Sequence, residues 1–360
     1  RGMGPGIVWR WGWVVTATRP DRWNFTPPLP LRSAPFLRWP IELRATAAHL
    51  TRTWSPQTPR VFMLGLAFLV WRWLMPSMES AAQLSPGWLA ATLIRNLVML
   101  TIVAGGTHLW LYRFEGQGTA LRYDSRPFPK NKRVFLFRDQ VRDNVFLSVV
   151  SGVVVWTFAE CLILHLAASG RISTYEIGEH PVWFVVAVVL IPWWSVLYFS
   201  AHHRLLHTEF LYRRVHSWHH RNTNVGPWSG LAMHPVEHVV LFSDVALLLL
   251  VPFHPVHLYF MLLHHSLGAP LSHTGYDALT FGPLRIRVGD FHHQLHHRLV
   301  ECNYGGLESP VDEMLGTFHD GTPDADVRMR DRRREPGRQR LATVIGAGAS
   351  ARLPVERTIT

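Results

Sequence analysis

The sequence predicts an all-α integral membrane protein, and three observations support this fold class. The 360 residues are 48% hydrophobic, and the apolar residues are concentrated in runs that can cross about 30 Å of hydrocarbon. Sixteen tryptophans are present, a side chain that suits the membrane interface. Segments rich in Arg and Lys alternate along the chain with segments that nearly lack them, as expected for loops on opposite sides of a membrane.

Four apolar runs predict about four transmembrane helices, at residues 61–75, 89–112, 145–167 and 182–200. A fifth apolar run, residues 239–265, is broken by Pro252 and Pro255. Because each half is too short to span comfortably, this run predicts a re-entrant or interfacial hairpin.

The charges of the connecting segments predict the orientation of these helices. Residues 1–60 hold nine arginines and residues 113–143 are dense in Arg and Lys, whereas residues 76–87 hold neither and residues 168–181 hold only Arg171. Under the positive-inside rule both termini are therefore cytoplasmic. The net charge of +11 lies beside apolar runs, which favours anionic lipid over nucleic acid as its partner.

Three histidine clusters follow the fourth run, on its cytoplasmic side. They read His202-His203-Arg-Leu-Leu-His207, His216-Ser-Trp-His219-His220 and His293-Gln-Leu-His296-His297, and 17 of the 22 histidines lie between residues 202 and 297. On a helix, spacings of three and four put side chains on one face, so each cluster can aim imidazoles at one point. Eight converging imidazoles are too many for one ion, so the pattern predicts a dinuclear metal site.

The types of ligand narrow the chemistry of this site. Only two cysteines are present, Cys161 and Cys302, which excludes a Cys-based zinc site and a disulfide framework. The clusters also lack the Glu-x-x-His pairs of carboxylate-rich helical bundles. An all-nitrogen, two-metal site at a membrane surface suits iron that handles dioxygen and attacks an unactivated C–H bond. The apolar spans would bring a lipid to the site and keep water away.

Two other classes of protein are alternatives. A histidine-rich membrane metal-binding or metal-transport protein without redox catalysis would place its ligands inside the spans, whereas these clusters follow or flank spans. An intramembrane zinc protease needs the string H-E-x-x-H, which this chain lacks.

The clusters and their surroundings resemble the fatty acid hydroxylase/sterol desaturase superfamily of membrane histidine-box proteins. That family's H-R-x-x-H, H-x-x-H-H and second H-x-x-H-H occur here in order, followed by N-Y-G at residues 303–305 and D-E-M-L-G-T at residues 312–317. H-P-V-E at residues 234–237 and H-T-G-Y-D at residues 273–277 match the sterol-type branch. The resemblance covers roughly residues 140–320.

This resemblance implies a non-haem di-iron oxygenase, with no catalytic residues beyond the metal ligands. The iron ligands that it implies are His203, His207, His216, His219, His220, His273, His293, His296 and His297, with His265 or His234 as candidates for a tenth. His202 and His292 are expected to point about 100° away from their neighbours. Glu237 and Asp277 are expected to accept the free N–H of a ligand imidazole. Asn303 is placed beside the ligands, where it either supports them or only caps the helix.

The resemblance also implies a cytosolic helical cap that holds the dinuclear metal site. Composition and the resemblance together divide the chain into four parts: a poorly ordered basic arm (1–60), a membrane hairpin with a basic cytosolic loop (61–140), the resembling catalytic domain (141–320) and a disordered basic tail (321–360). It implies two iron ions, O2 as co-substrate, and a sterol-like, carotenoid or fatty acyl substrate. It does not distinguish hydroxylation from desaturation. The chain shows no haem or flavin motif, so electrons from NAD(P)H are expected to arrive through a ferredoxin or cytochrome b5-like partner. A basic cytoplasmic face would suit an acidic donor.

Overall fold

The computed structural model is mostly helical and describes residues 23–334, together with the backbone of two short paired strands, β1 (Trp9–Arg10) and β2 (Trp13–Val14). The remaining residues of the predicted arm and tail lie outside the described part. The α-helices, in chain order, are α1 Leu43–Thr53, α2 Pro59–Leu69, α3 Met78–Ala82, α4 Pro86–Arg113, α5 Gln140–Ala168, α6 Pro181–Leu206, α7 Glu209–Arg214, α8 Pro235–Phe242, α9 Pro255–Ser266, α10 Gly268–Ser272, α11 Phe291–Leu299, α12 Val311–Met314 and α13 Pro323–Arg334.

Shorter elements connect these helices. An antiparallel hairpin, β3 (Ala278–Phe281) and β4 (Leu284–Arg287), pairs Ala278 with Arg287 and Phe281 with Leu284. The 3₁₀ helices are Pro35–Leu37, His216–Arg221, Pro227–Leu231 and Ser243–Leu249.

Among the residues that the structure describes, three helices are long and apolar enough to cross a membrane: α4 with 28 residues, α5 with 29 and α6 with 26. They coincide with the second, third and fourth predicted spans. The first predicted span, residues 61–75, falls on the eleven-residue α2 and the five-residue π-turn Val70–Leu74 that continues it. That segment is about 24 Å long, which is short of the hydrocarbon thickness. The predicted count of four spans is therefore not confirmed.

Helix α9 lies at the centre of the core, where it packs on α2, α5 and α6. Every residue of α9 except His264 is buried. Pro255 occupies its first turn, and the His254 side chain accepts a hydrogen bond from the Val256 N–H, so the chain starts a new helix here. Together with α8 and the 3₁₀ helix after it, α9 forms the hairpin predicted from the two prolines. Its depth in the membrane stays a prediction.

A buried ion pair joins two of the candidate spans. The Arg95 guanidinium of α4 donates to Glu160 of α5, and Asn96 Nδ2 donates to the same carboxylate at 3.0 Å. Glu160 has no exposed surface. Ionisable groups at this depth are costly unless paired, so these contacts hold α4 against α5.

The described parts of the predicted arm and tail contain helices, α1 and α13. In the arm, α1 is helical, and His49 Nε2 lies 3.0 Å from Glu308 Oε1. The same carboxylate accepts from Arg60 at 2.8 Å. In the tail, α13 buries Ala325 and Met329, and Arg328 of this helix donates to Asp320 at 3.3 Å.

Candidate metal centre

The three histidine clusters sit on three different elements that meet beside the cytoplasmic end predicted for α6. His203 lies in the last turn of α6, and His207 directly follows that helix. The second cluster lies on the 3₁₀ helix His216–Arg221 rather than on an α-helix, and the third lies on α11. Asp290 starts α11 by accepting a hydrogen bond from the His293 N–H at 3.2 Å.

The structure brings together all nine histidines that the sequence marked as metal ligands. They form two groups, and in each group one nitrogen of every ring lies within 4.8 Å of the others. The larger group has five imidazoles and the smaller has four, as a two-metal centre would require. The first group is His203, His207, His216, His220 and His296; the second is His219, His273, His293 and His297.

The imidazole nitrogens are spaced as ligands of a common ion. In the first group, His203 Nε2 lies 2.9 Å from His216 Nε2, and His296 Nε2 lies 3.1 Å from His207 Nε2 and 3.0 Å from His220 Nε2. In the second group, His297 Nε2 lies 3.1 Å from His273 Nε2 and 3.2 Å from His293 Nε2. Two ligand nitrogens at right angles, each about 2.1 Å from a metal, are about 3 Å apart.

Hydrogen bonds on the outer side of three rings fix which nitrogen faces inward. The Nδ1–H of His203 donates to the Tyr304 carbonyl at 2.6 Å, and that of His296 donates to the Cys302 carbonyl at 2.6 Å. His273 Nδ1 lies 2.8 Å from the Ala269 carbonyl. Because a carbonyl oxygen can only accept, Nδ1 carries the proton and Nε2 of the neutral ring presents a bare lone pair. Lone pairs that converge in this way repel one another unless a cation lies between them, so the residues fit bound metal.

Burial keeps these rings neutral, which is the form that binds metal. It lowers the pKa of His273 to about 4 and that of His296 to about 3. The same cause lowers the pKa values of other members well below the usual range: His207, His216, His219, His220, His293 and His297.

Glu237 holds the outer nitrogen of one ligand, as the sequence predicted. Its Oε1 lies 2.7 Å from His216 Nδ1, and its side chain is buried. Burial raises the pKa of this carboxyl well above its usual range, since the charged form loses its hydration. A metal on His216 Nε2 would make Nδ1–H a stronger donor and so favour the carboxylate.

Two other residues predicted beside the ligands have different partners. The expectation for Asp277 is wrong: it accepts from Arg285 of β4 at 2.8 Å, because the β-hairpin places a guanidinium next to it. Asn303 touches no ligand ring; its Nδ2 donates to the His292 and His319 carbonyls at 3.1 and 3.0 Å. It therefore ties the first turn of α11 to the loop that holds His319, and the residues that cap this helix are Asp290 and Val300 instead.

Neither candidate for a tenth ligand joins the two groups. His265 Nε2 pairs with Asp244 at 2.8 Å, and the His234 ring caps α8 by accepting from the Val236 N–H at 3.2 Å. His202 and His292 also lie outside the groups, as their position on the helix predicted. His202 Nδ1 bonds back to the Tyr198 carbonyl at 2.9 Å.

One buried carboxylate that sequence reasoning left without a role organises the loop under the first group. Asp312 Oδ1 accepts from Arg204 at 2.8 Å and from the Tyr304 N–H at 3.1 Å, while Oδ2 accepts from the Gly305 N–H at 2.7 Å. These bonds hold the Tyr304 carbonyl where His203 can reach it. The only signal for them in the sequence was that Arg204 and Asp312 belong to the histidine-box and D-x-x-x-G-T motifs.

A cavity of about 800 Å³ reaches the metal centre. Its walls include apolar side chains of several helices, among them Met63, Phe199, Leu241 and Leu271. Five of the nine histidines line it, His203, His216, His219, His273 and His293, so a molecule in this cavity would contact the metal-binding face.

Comparison with known proteins identifies this region. Residues 186–317 match the family model described as Fatty acid hydroxylase. A Delta(7)-sterol 5(6)-desaturase of Gibberella zeae is 31% identical over 148 residues, which cover 40% of this chain and 45% of that protein. A Delta(7)-sterol-C5(6)-desaturase of Nicotiana tabacum is 31% identical over 124 residues, covering 33% and 44%.

A third relative has a different activity in its name. Cholesterol 25-hydroxylase of Rattus norvegicus is 32% identical over 125 residues, covering 32% of this chain and 40% of that protein. The matches thus span less than half the length of these relatives. No solved structure matches the chain significantly. Together these findings confirm the resemblance to the membrane-bound fatty acid hydroxylase/sterol desaturase superfamily.

Proposed function

We propose that this protein is a membrane oxidoreductase that uses O2 to hydroxylate or desaturate an unactivated C–H position of a lipid. The observation that carries the proposal is the convergence of nine imidazoles beside a largely apolar cavity that five of them line. A sterol-like lipid is the first candidate substrate, because the relatives described above are named as sterol desaturases and a cholesterol hydroxylase. Carotenoids and fatty acyl chains are the other candidates.

In this proposal the two groups of histidines each hold one iron ion. The iron pair would supply the activation of O2 and the removal of hydrogen from the lipid. The protein's own part is to keep the ligands neutral and correctly turned. Burial keeps them neutral, and the carbonyls of Tyr304, Cys302 and Ala269 hold the protons on the outer nitrogens.

The apolar walls of the cavity would bind the lipid and exclude water. Met63, Phe199, Leu241 and Leu271 present apolar surface that would hold a hydrocarbon against the metal-binding face. The same surface excludes water, which would otherwise compete with the lipid for the reactive site. Glu237 also lines the cavity, and its Oε1 bonds to the outer nitrogen of His216, so its role in the proposal is to position this ligand.

The topology and the electron supply are also part of the proposal. We expect four spans, a cytosolic helical cap that carries the histidines, and both termini on the cytoplasmic side, because Arg and Lys are concentrated in residues 1–60 and 113–143. Electrons would come from NAD(P)H through a ferredoxin or cytochrome b5-like protein. Such a donor would dock on the basic cytoplasmic surface.

Oxygen-18 labelling tests the reaction and its type together. Membranes that contain the protein would be supplied with a sterol, a reducing system and ¹⁸O2, and the lipid would be analysed by mass spectrometry. Hydroxylation places one ¹⁸O atom in the product, whereas desaturation removes two hydrogens and places none. The variant His219→Ala should abolish product, and His180→Ala, which changes an exposed histidine outside both groups, should not. Equal product from wild type and His219→Ala would contradict the proposal.

A further inference from the structure

His264 is the one residue of α9 that is only partly buried, and it lines the cavity. Its Nδ1 lies 2.8 Å from the Phe260 carbonyl, one helical turn back, so Nδ1 carries the proton and donates it to that oxygen. Burial, reinforced by Arg60, lowers the pKa of His264 to about 3, so the ring is neutral. Its Nε2 is therefore an acceptor only, and that atom is shielded from solvent without a hydrogen-bond partner.

A second polar atom without a partner lines the same cavity, apart from His219 Nδ1 and Glu237 Oε2, which belong to the metal centre. Ser195 of α6 is 5% exposed, and its Oγ has no hydrogen-bond partner. A serine hydroxyl can both donate and accept. Since buried polar groups are almost always paired, two unpaired atoms on the walls of one cavity point to a polar group of the ligand that completes them. Neither residue belongs to the two histidine groups.

The chemistry of these two atoms selects the ligand group. His264 Nε2 requires a donor, which a ketone, an ester or a hydrocarbon lacks. Ser195 Oγ–H can donate to an oxygen. An alcohol meets both requirements, because its O–H donates to Nε2 while its oxygen accepts from Ser195. A carboxylate lacks the donor that His264 Nε2 requires. A charged amine would have to give up its hydration in a cavity whose walls are largely apolar.

The position on α6 orients the lipid. Ser195 precedes His203 by two turns, so it lies about 12 Å away along the helix axis. Val196 and Phe199 line the cavity on the intervening stretch. A hydroxyl held by Ser195 and His264 would therefore leave the hydrocarbon part of the lipid extending along apolar wall toward the nine imidazoles.

We infer that His264 and Ser195 form a recognition site for the hydroxyl group of the substrate, so that the protein selects lipid alcohols over the matching ketones. The inference rests on the proposed lipid oxidation and deepens it by naming the substrate class. His264 and Ser195 are positioning residues: they hold the lipid and take no part in the oxidation.

A matched pair of sterols tests the inference by binding, independently of turnover. Cholestan-3β-ol and cholestan-3-one differ only at carbon 3, where a hydroxyl that could donate to His264 is replaced by a ketone that could not. Radiolabelled sterol binding to the purified, iron-loaded protein should favour the alcohol at least about tenfold, because an unpaired buried acceptor is costly. His264→Phe should weaken binding of the alcohol to the level of the ketone and leave the ketone unchanged. His264→Gln, which keeps an acceptor, should retain part of the preference.

His165→Phe is the matched control. His165 also bonds a helix carbonyl, that of Ala81 at 3.0 Å, but it does not line the cavity, so the preference for the alcohol should be unchanged. Iron content reports whether each variant is folded. If His264→Phe fails to fold, the relative affinities of the wild type and of His264→Gln for the alcohol and the ketone still test the hydroxyl site. Equal wild-type affinities for the two sterols, or an equal loss of both in His264→Phe, would refute the hydroxyl site alone. Failure of the wild type to bind or oxidise either sterol would refute the sterol assignment and the hydroxyl site with it.

Discussion

Removal of the Glu237 carboxylate is expected to weaken one metal group and spare the other. Glu237 Oε1 is the only hydrogen-bond partner that the structure gives His216 Nδ1, at 2.7 Å, and both side chains are buried, so water cannot readily replace it. Glu237→Ala leaves a buried N–H unpaired at a cost of about 1–3 kcal/mol. Loss of such an outer partner typically lowers metal affinity about 10–100-fold, which is the same range.

Iron titration of metal-free protein measures this effect. Glu237→Ala should lose affinity at one of two iron sites, because His216 belongs to the five-histidine group. Glu237→Gln keeps an acceptor oxygen and should lose less. Glu209→Gln changes an exposed carboxylate paired with Arg213 and should bind iron as wild type does. Wild-type affinity at both sites in Glu237→Ala would refute the reasoning, and an equal loss at both sites would show that the two groups are not independent.

Three further perturbations have distinct expected outcomes. Asp277→Asn should leave iron content unchanged, since Asp277 pairs with an arginine and not with a ligand; iron loss measured by mass spectrometry would show that it supports the site after all. Asp312→Ala should lower iron content and the melting temperature, because four donors lose their acceptor at a cost of about 3–5 kcal/mol. Unchanged values in both assays would contradict the role of Asp312 in holding the loop at Tyr304. Metal-free protein should lose stability as pH falls from about 6.5 toward 4: unfolded imidazoles bind protons there, whereas folded His273 and His296 stay neutral until pH about 4 and 3. Each such residue contributes about 1.4 kcal/mol per pH unit, and thermal melts that do not vary over this range would refute the burial argument.

The sequence predicted the metal site better than it predicted the surroundings of the site. Histidine spacing identified eight of the nine residues that the structure brings together, because few arrangements besides a shared ion explain so many imidazoles at helical intervals. The ninth, His273, was implied by the family resemblance. The spacing did not identify the groups that bond the outer nitrogens of these rings. Those groups are backbone carbonyls such as those of Tyr304 and Cys302, and because every residue has a carbonyl, the sequence does not show which one will bond. Asp277 was assigned wrongly because its partner comes from a β-hairpin that the pattern of apolar residues did not predict.

The same limits apply to the fold. Three of the predicted spans coincide with long apolar helices, because hydropathy over twenty residues is a strong signal. The short α2 was predicted as a span from its composition, although its length depends on where the chain turns at Met75. The break in the run at residues 239–265 was predicted correctly from Pro252 and Pro255, since proline cannot continue a helix, while its re-entrant or interfacial placement stays a prediction. That α9 would be the centre of the core could not be read from composition alone.

Metal analysis of the detergent-purified protein, with Mössbauer spectra after growth on iron-57, tests the central claim most directly. We expect about two irons per chain that are magnetically coupled. His296→Ala removes a ligand from the five-histidine group and His219→Ala removes one from the four-histidine group, so both variants should lose iron. Protein from iron-replete cells that holds no metal, or one loosely bound zinc, would contradict the di-iron assignment and favour a metal-transport function instead.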